Sequence, residues 1–286
     1  MRAAWLGISL VVGCGRIGFD LAGMPGDSAP ADGLPVLGPF GSPTLVSELN
    51  ASCEQGITLT ADMLEMFWDS NRPPSVGGGD IWTSTRTSPT ATWAVPTRVP
   101  ELSSNGDEDT PRVTGDGLTL YFASDMATLD QVNDIYRSTR ASRTSTWSAY
   151  VRVPELSGSG QEYGPWVSDD DRYLVIPTDH GGTDIDLWTS SRASTADPWG
   201  PLVRLDEVSS TAQEESPWLD ASLRILYFAR PGVGIMVATR ASPTDPFTPP
   251  VPVSELDTGV EVDEWLSPDL NTIMFVRSCE IFVATR

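Results

Sequence analysis

Five glutamates recur at nearly constant spacing, Glu54, Glu108, Glu162, Glu214 and Glu261, each about 50 residues after the one before. Carboxylates gathered in this way can hold a cation such as Ca2+ through oxygen ligands. They can also work as an unequal acid and base on a glycosidic bond, or simply accept hydrogen bonds from backbone amides. Two carboxylates about 8 Å apart repel by roughly 2 kcal/mol at an effective dielectric of 20. A ring of them therefore needs amides, a bound cation or protons. Identical repetition favours amides donated from a neighbouring repeat, with a central Ca2+ as the alternative; no cofactor is required. Further carboxylates keep the same rhythm: Glu48, Glu101, Glu155, Glu207 and Glu255, and Asp80, Asp134, Asp186 and Glu280.

Composition removes much other chemistry. All 18 basic residues are arginine, so no lysine exists for a phosphate loop or a Schiff base. His180 is the one histidine, which rules out multi-histidine zinc sites. A net charge of −21 repels phosphate backbones and argues against nucleic acid as a partner. No nucleophile stands out for His180 to activate, and no catalytic motif is visible.

The elements that must position these groups are themselves repeated. The stretch 108–140, EDTPRVTGDGLTLYFASDMATLDQVNDIYRSTR, reads as a glutamate-led strand, an Asp-Gly turn, an alternating aromatic strand, a polar loop and a third strand ending in arginine. LEMFWDS, LTLYFASD, YLVIPTD, ILYFAR and IMFVRS mark the second strand of each copy, and Arg86, Arg140, Arg192, Arg240 and Arg286 close the third. A fourth strand follows in TWAVPTRVPEL, TWSAYVRVPEL, PWGPLVRLDEV and PFTPPVPVSEL. Its missing copy lies at the front, where 39–49, PFGSPTLVSEL, nearly repeats 246–256. Five four-stranded units, the last completed by an N-terminal strand, predict an all-β, five-bladed β-propeller closed into a ring.

The acidic first strand, the Asp-Gly turn, LYFAS and DIY…R resemble the TolB-type, WD-like propeller repeat over roughly 245 residues. Ser222 and Gly234 depart from it in the fourth copy. In such a fold the first strands line the central channel, which places the five glutamates at its upper mouth. Asp62, Asp116, Asp170 and Asp269 would then face the closing arginines at the bottom, as register pairs. Loops between second and third strands are long in the first three copies and short in the last two. Their asymmetry predicts an upper cleft with Arg72, Asp125, Asp130, Asp179, His180 and Asp184 as polar contacts. Trp166, Trp218 and Trp265 share one first-strand position, where they could stack on a sugar or pack between blades.

The N-terminus reads as an address. Ala3 to Val12 is an apolar run too short to span a bilayer, and VVGC looks like a bacterial lipobox with Cys14 as the lipidated residue. Residues 1–13 would be a lipoprotein signal peptide, 14–37 a flexible tether and 38–286 the propeller. Gly15 after the cysteine tilts the address toward an outer membrane. Cys53 and Cys279 would meet at the ring's seam as a disulfide, or stay as separate thiols.

These readings lead to a lipid-anchored, monomeric, extracytoplasmic protein of the cell envelope. It would be a binding or scaffold module for a protein, peptide, glycan or cation. A carbohydrate-active enzyme and a purely structural envelope protein are the rivals. A deep pocket holding one carboxylate outside the repeat would favour the enzyme.

Overall fold

The computed structural model describes residues 33–126, 132–180, 182–256 and 259–286. The signal segment, Cys14, most of the tether and Asp130 lie outside the described residues. The chain divides into two units, Met1–Pro39 and Phe40–Arg286. The described residues of the first unit, 33–39, carry no strand or helix.

The second unit is built from strands that cannot stand alone. EMFWDS is buried at every position, and TLYFAS, YLVIPT, ILYFAR and TIMFVR at four or five of six. A strand apolar on both faces must be covered from both sides. A ring of sheets standing face to face supplies that cover, and the apolar clusters indeed lie between sheets. Phe67, Ile81, Leu120, Phe122 and Trp147 join the first two blades, and Val175, Leu187, Leu226, Phe228 and Phe247 the third and fourth.

Five four-stranded antiparallel sheets result. β1 (Thr44–Leu45) comes first in the chain and is used last. Blade one is β2 (Glu54–Leu59), β3 (Glu65–Ser70), β4 (Asp80–Thr85) and β5 (Thr97–Arg98). Blade two is β6 (Glu108–Val113), β7 (Thr119–Ser124), β8 (Asp134–Thr139) and β9 (Val151–Arg152). Blade three is β10 (Trp166–Val167), β11 (Tyr173–Thr178), β12 (Asp186–Ser191) and β13 (Val203–Arg204). Blade four is β14 (Glu215–Leu219), β15 (Ile225–Arg230), β16 (Gly234–Thr239) and β17 (Val251–Pro252). Blade five is β18 (Glu261–Leu266), β19 (Thr272–Arg277) and β20 (Glu280–Thr285), completed by β1 through Thr44↔Val283 and Leu45↔Phe282. The protein is thus an all-β, five-bladed propeller closed by its N-terminal strand. A disulfide between Cys53 and Cys279 ties blade one to blade five at the seam.

The first strands β2, β6, β10, β14 and β18 touch one another in sequence around the axis. Glu54 pairs with Ser70, and Ser70 with Asp80, so one face of the ring carries the crossovers between blades. The opposite face carries the turns between first and second strands. Four of the five first strands slip register near their middle, between Gln55 and Thr58, Asp109 and Arg112, Glu215 and Trp218, and Val262 and Trp265. These bulges turn side chains toward the axis. In blade three the same place is Gly164, where a Cβ would lie 1.7 Å from the Thr110 carbonyl oxygen. Only glycine permits that approach of two inner strands.

The turn face shows how the repeated polar residues work. Asp62, Asp116, Asp170 and Asp269 each accept from a hydroxyl two residues earlier and an amide two residues later, within their own turn. The closing arginines were expected to pair with them; instead each Nε donates to a turn carbonyl. The acceptors are Met63, Gly117, Asp171, Leu223 and Leu270, at 2.6–2.8 Å, and all five have positive φ. Each guanidinium also lies over an aromatic ring beyond the third strand: Trp93, Trp147, Trp199, Phe247 and, across the seam, Phe40. The arginine thereby ties a strained turn to the outer part of the blade.

Candidate functional site

The repeated glutamates are buried at 0–1% exposure and do not open onto the channel. Glu54 accepts from the amides of Ala51 and Ser52, the Trp68 indole and Arg72 at 2.6 Å. Glu108 accepts from the amide and hydroxyl of Ser104, and Glu214 from those of Ser210. Most of the backbone donors sit on the crossover entering the same blade. The acceptor role is therefore played between crossover and blade. Among the described residues no group of three or more His, Cys, Asp or Glu side chains is arranged to hold a metal ion.

Similar positions differ in charge. Arg72, Arg230 and Arg277 reach Glu54, Glu214 and Glu261. Blades two and three offer Ser124 and Thr178 instead, so the hydroxyls replace a cation. Burial pushes Glu108 up to about 7 and Glu162 up to about 8. Glu54, although burial raises it, is held below the usual range by Arg72 and the two amides.

The residues expected at an upper cleft are spread over several roles. Arg72 is buried, bonded to the Leu49 carbonyl and set between Trp68 and Trp82, 5.2 Å from each ring. Asp125 accepts from the Asp107 amide and Asp179 from the Gln161 amide, tying loops down on the crossover face. Asp184 is exposed and accepts from the Thr183 hydroxyl. His180 is exposed, with its ring 4.6 Å from Trp188. Trp166, Trp218 and Trp265 are not with them. They line a cavity on the turn face, at the other end of the first strands.

That cavity has a volume of about 510 Å3, within the range of small-ligand sites. Aligning the first strands, EQGITL, EDTPRV, EYGPWV, EESPWL and EVDEWL, shows how it is made. Their fifth position is Thr58, Arg112, Trp166, Trp218 and Trp265, so three indoles from consecutive blades face an arginine and a threonine. Their fourth position is Ile57, Pro111, Pro165, Pro217 and Glu264, so one glutamate replaces an apolar residue beside the indoles. Glu264 is 1% exposed, and neither of its oxygens has a hydrogen-bond partner among the described residues. Burial pushes its carboxyl well above the usual range; its own amide and Arg112 oppose that rise without cancelling it.

Deeper along the axis lie more carboxylates that the repeat does not require. Asp263 accepts from the Gly56 amide at 2.9 Å and the Ser216 hydroxyl at 2.8 Å. Asp69 accepts from the Thr110 amide at 2.9 Å. Burial, reinforced by Asp109 and Asp263, raises Asp69 well above the usual range. Burial also raises Asp109 to about 6 and Glu215 to about 7. Arg112 threads between them, giving Nη1 to the Ile57 carbonyl at 2.8 Å, with Nη2 4.0 Å from Asp263. Sequence reasoning passed over Asp69, Asp109, Arg112, Glu215, Asp263 and Glu264. Column-by-column comparison of the repeats points to Asp69, Arg112, Asp263 and Glu264, each of which breaks its column, whereas Asp109 and Glu215 share a column with no common residue type.

No family model matches the chain, and no curated protein matches it. Solved structures do. A thermostable family-43 glycoside hydrolase is 11% identical, covers 82% of this chain and 89% of its own, and has a TM-score of 0.56. An α-L-arabinofuranosidase from Podospora anserina, solved with cellotriose, is 11% identical over 82% and 91%, with a TM-score of 0.53. TolB from Acinetobacter baumannii is 13% identical over 82% of this chain, with a TM-score of 0.48, and the match spans 55% of the TolB chain. At 11% identity the likeness to the first two shows a shared fold alone.

Proposed function

We propose that the protein is a binding module that receives a small ring-bearing polar ligand, such as a sugar unit of a glycan, in the axial cavity of the turn face. The observation that carries this reading is the set of Trp166, Trp218 and Trp265 around one cavity beside the buried Glu264. Indole faces give the apolar side of a ring a large, rigid contact, and a few convergent polar groups fix its orientation. The Cys14 lipobox would hold the module at the envelope, where glycans are available.

Titration of the full-length chain with mono- and disaccharides, followed by intrinsic fluorescence, tests this. Trp218→Ala and Trp265→Ala should each weaken binding at least tenfold. Saturable binding that survives both substitutions would place the ligand elsewhere.

Glu264 favours a second reading, hydrolysis of a glycosidic bond. A proton donor to the leaving-group oxygen must be uncharged at the working pH, and burial away from partners is one way to keep it so. Release of nitrophenol from aryl glycosides by the native chain, abolished in Glu264→Gln, is the expected result. No release across pentosides and hexosides would leave binding alone.

A further inference from the structure

Arg112 is the least satisfied arginine among the described residues that line the cavity. It is 6% exposed, and its Nε and Nη2 have no hydrogen-bond partner. Nη1 is occupied by the Ile57 carbonyl, with the Pro111 carbonyl at 3.5 Å. Asp263 balances the charge without a hydrogen bond: its Oδ1, which accepts from Ser216, lies 4.0 Å from Nη2, and its Oδ2 accepts from Gly56. The other arginines of the lining are engaged, Arg172 with Asp170 at 2.7 Å and Arg192 with Asp171 at 2.5 Å.

The two vacant donors are the side-on edge of a guanidinium, the pair whose parallel N–H bonds match the two oxygens of a carboxylate. Leaving them buried and unpaired is costly unless something arrives to accept them. Glu264 faces the same cavity with both oxygens unpaired. In its protonated form it adds a third donor rather than a competing charge.

Resting on the ring-ligand reading above, the geometry points to a ligand whose ring bears a carboxylate, with the acid group on the Nε and Nη2 edge of Arg112 and the ring against the indoles. Uronic acid units of an acidic polysaccharide and small aromatic acids share this chemistry. The net charge of −21 slows the approach of an anion, whereas the bound state is set by the buried arginine.

Calorimetric titration of the full-length chain with galacturonate and glucuronate, their methyl esters, galactose and glucose, and benzoate against benzamide tests it. Free acids should bind at least tenfold more tightly than the matching ester or amide. The stronger of the two acid classes identifies the ring. Arg112→Met should erase the preference, while Glu264→Gln, which keeps a donor, should retain it. Because Arg112 also holds the Ile57 carbonyl, the comparison of acid with ester on the native protein stands even if that variant fails to fold. Equal binding of acid, ester and neutral sugar would overturn the carboxylate while leaving the cavity reading in place. Absence of binding by every ring compound would overturn both.

Discussion

Replacing Glu162 by glutamine should change the sign of its effect with pH. The carboxyl is 1% exposed, accepts from the Gly158 amide at 3.2 Å and the Thr178 hydroxyl at 3.5 Å, and leaves Oε2 without a partner. Burial raises it from 4.5 to about 8. Between those values the folded chain holds a proton that the unfolded chain has released. The contribution to stability is therefore whole below pH 4.5, falls by about 1.4 kcal/mol per unit as pH rises, and levels off above about 8. At pH 7 the native chain has lost roughly 3 kcal/mol relative to acid, and near pH 8 somewhat more. Glutamine cannot ionise, and its carbonyl can keep both accepted bonds, but its amide nitrogen inherits the vacant position at a cost of about 1–3 kcal/mol. Glu162→Gln should thus be less stable than native at pH 4 and as stable or more stable at pH 8. Urea denaturation of both chains across pH 4–9 measures the difference curve, whose slope does not depend on the fixed cost of the amide. A flat difference curve between pH 4.5 and 8 would refute the reasoning. Glu214→Gln is the internal control: its carboxylate holds Arg230 at 2.9 Å, so the same substitution should destabilise at pH 7.

Other consequences follow from the same contacts. Arg140→Met removes the cap on the Gly117 carbonyl and leaves Glu65, the partner of both its terminal nitrogens, buried without them. A loss of about 3–5 kcal/mol in urea denaturation is expected, against under 1 kcal/mol for the exposed Arg172→Met, whose ion pair with Asp170 is open to solvent. The double variant Cys53→Ser, Cys279→Ser opens a cross-link spanning 226 residues. Chain entropy sets an upper figure of about 5 kcal/mol for that loss. Pairing of β1 with β20 offsets part of it, so a drop in the denaturation midpoint with the fold retained by circular dichroism is the expected outcome.

The architecture was legible because it is written as many times as there are blades. The second-strand runs, the closing arginines and the transplanted PFGSPTLVSEL segment predict the sheets and the closure with no knowledge of contacts. The partners of repeated polar residues were harder to read. An arginine at the end of a strand looks the same whether it meets an aspartate or a carbonyl. The choice of Met63, Gly117, Asp171, Leu223 and Leu270 depends on turns whose left-handed residue is mostly not glycine. The direction of a side chain was harder still. The bulges after Gln55, Asp109, Glu215 and Val262 reset which residues face the axis. The indoles, expected at the upper cleft, lie past these bulges at the other end of the first strands.

Symmetry also separates scaffold from site more sharply than residue type does. Five equivalent positions around an axis surround a small ligand with five copies of one side chain, which suits few ligands. A propeller that binds asymmetrically has to break its columns where they converge, and the first strands are the only ones that converge. In this chain the breaks at Asp69, Arg112, Asp263 and Glu264, and the two acids Asp109 and Glu215 of a variable column, all fall on or beside those strands. Some of them serve the ring itself: Asp263 and Asp69 each clamp a neighbouring blade's bulge. Arg112 closes hydrogen bonds within the ring through Nη1 alone, and Glu264 closes none among the described residues. Structural need accounts for the first pair and leaves the Arg112 Nε and Nη2 and the Glu264 carboxyl unexplained, and burial makes unexplained polar atoms expensive to keep. The cavity they share with three indoles is therefore where a ligand should be sought first.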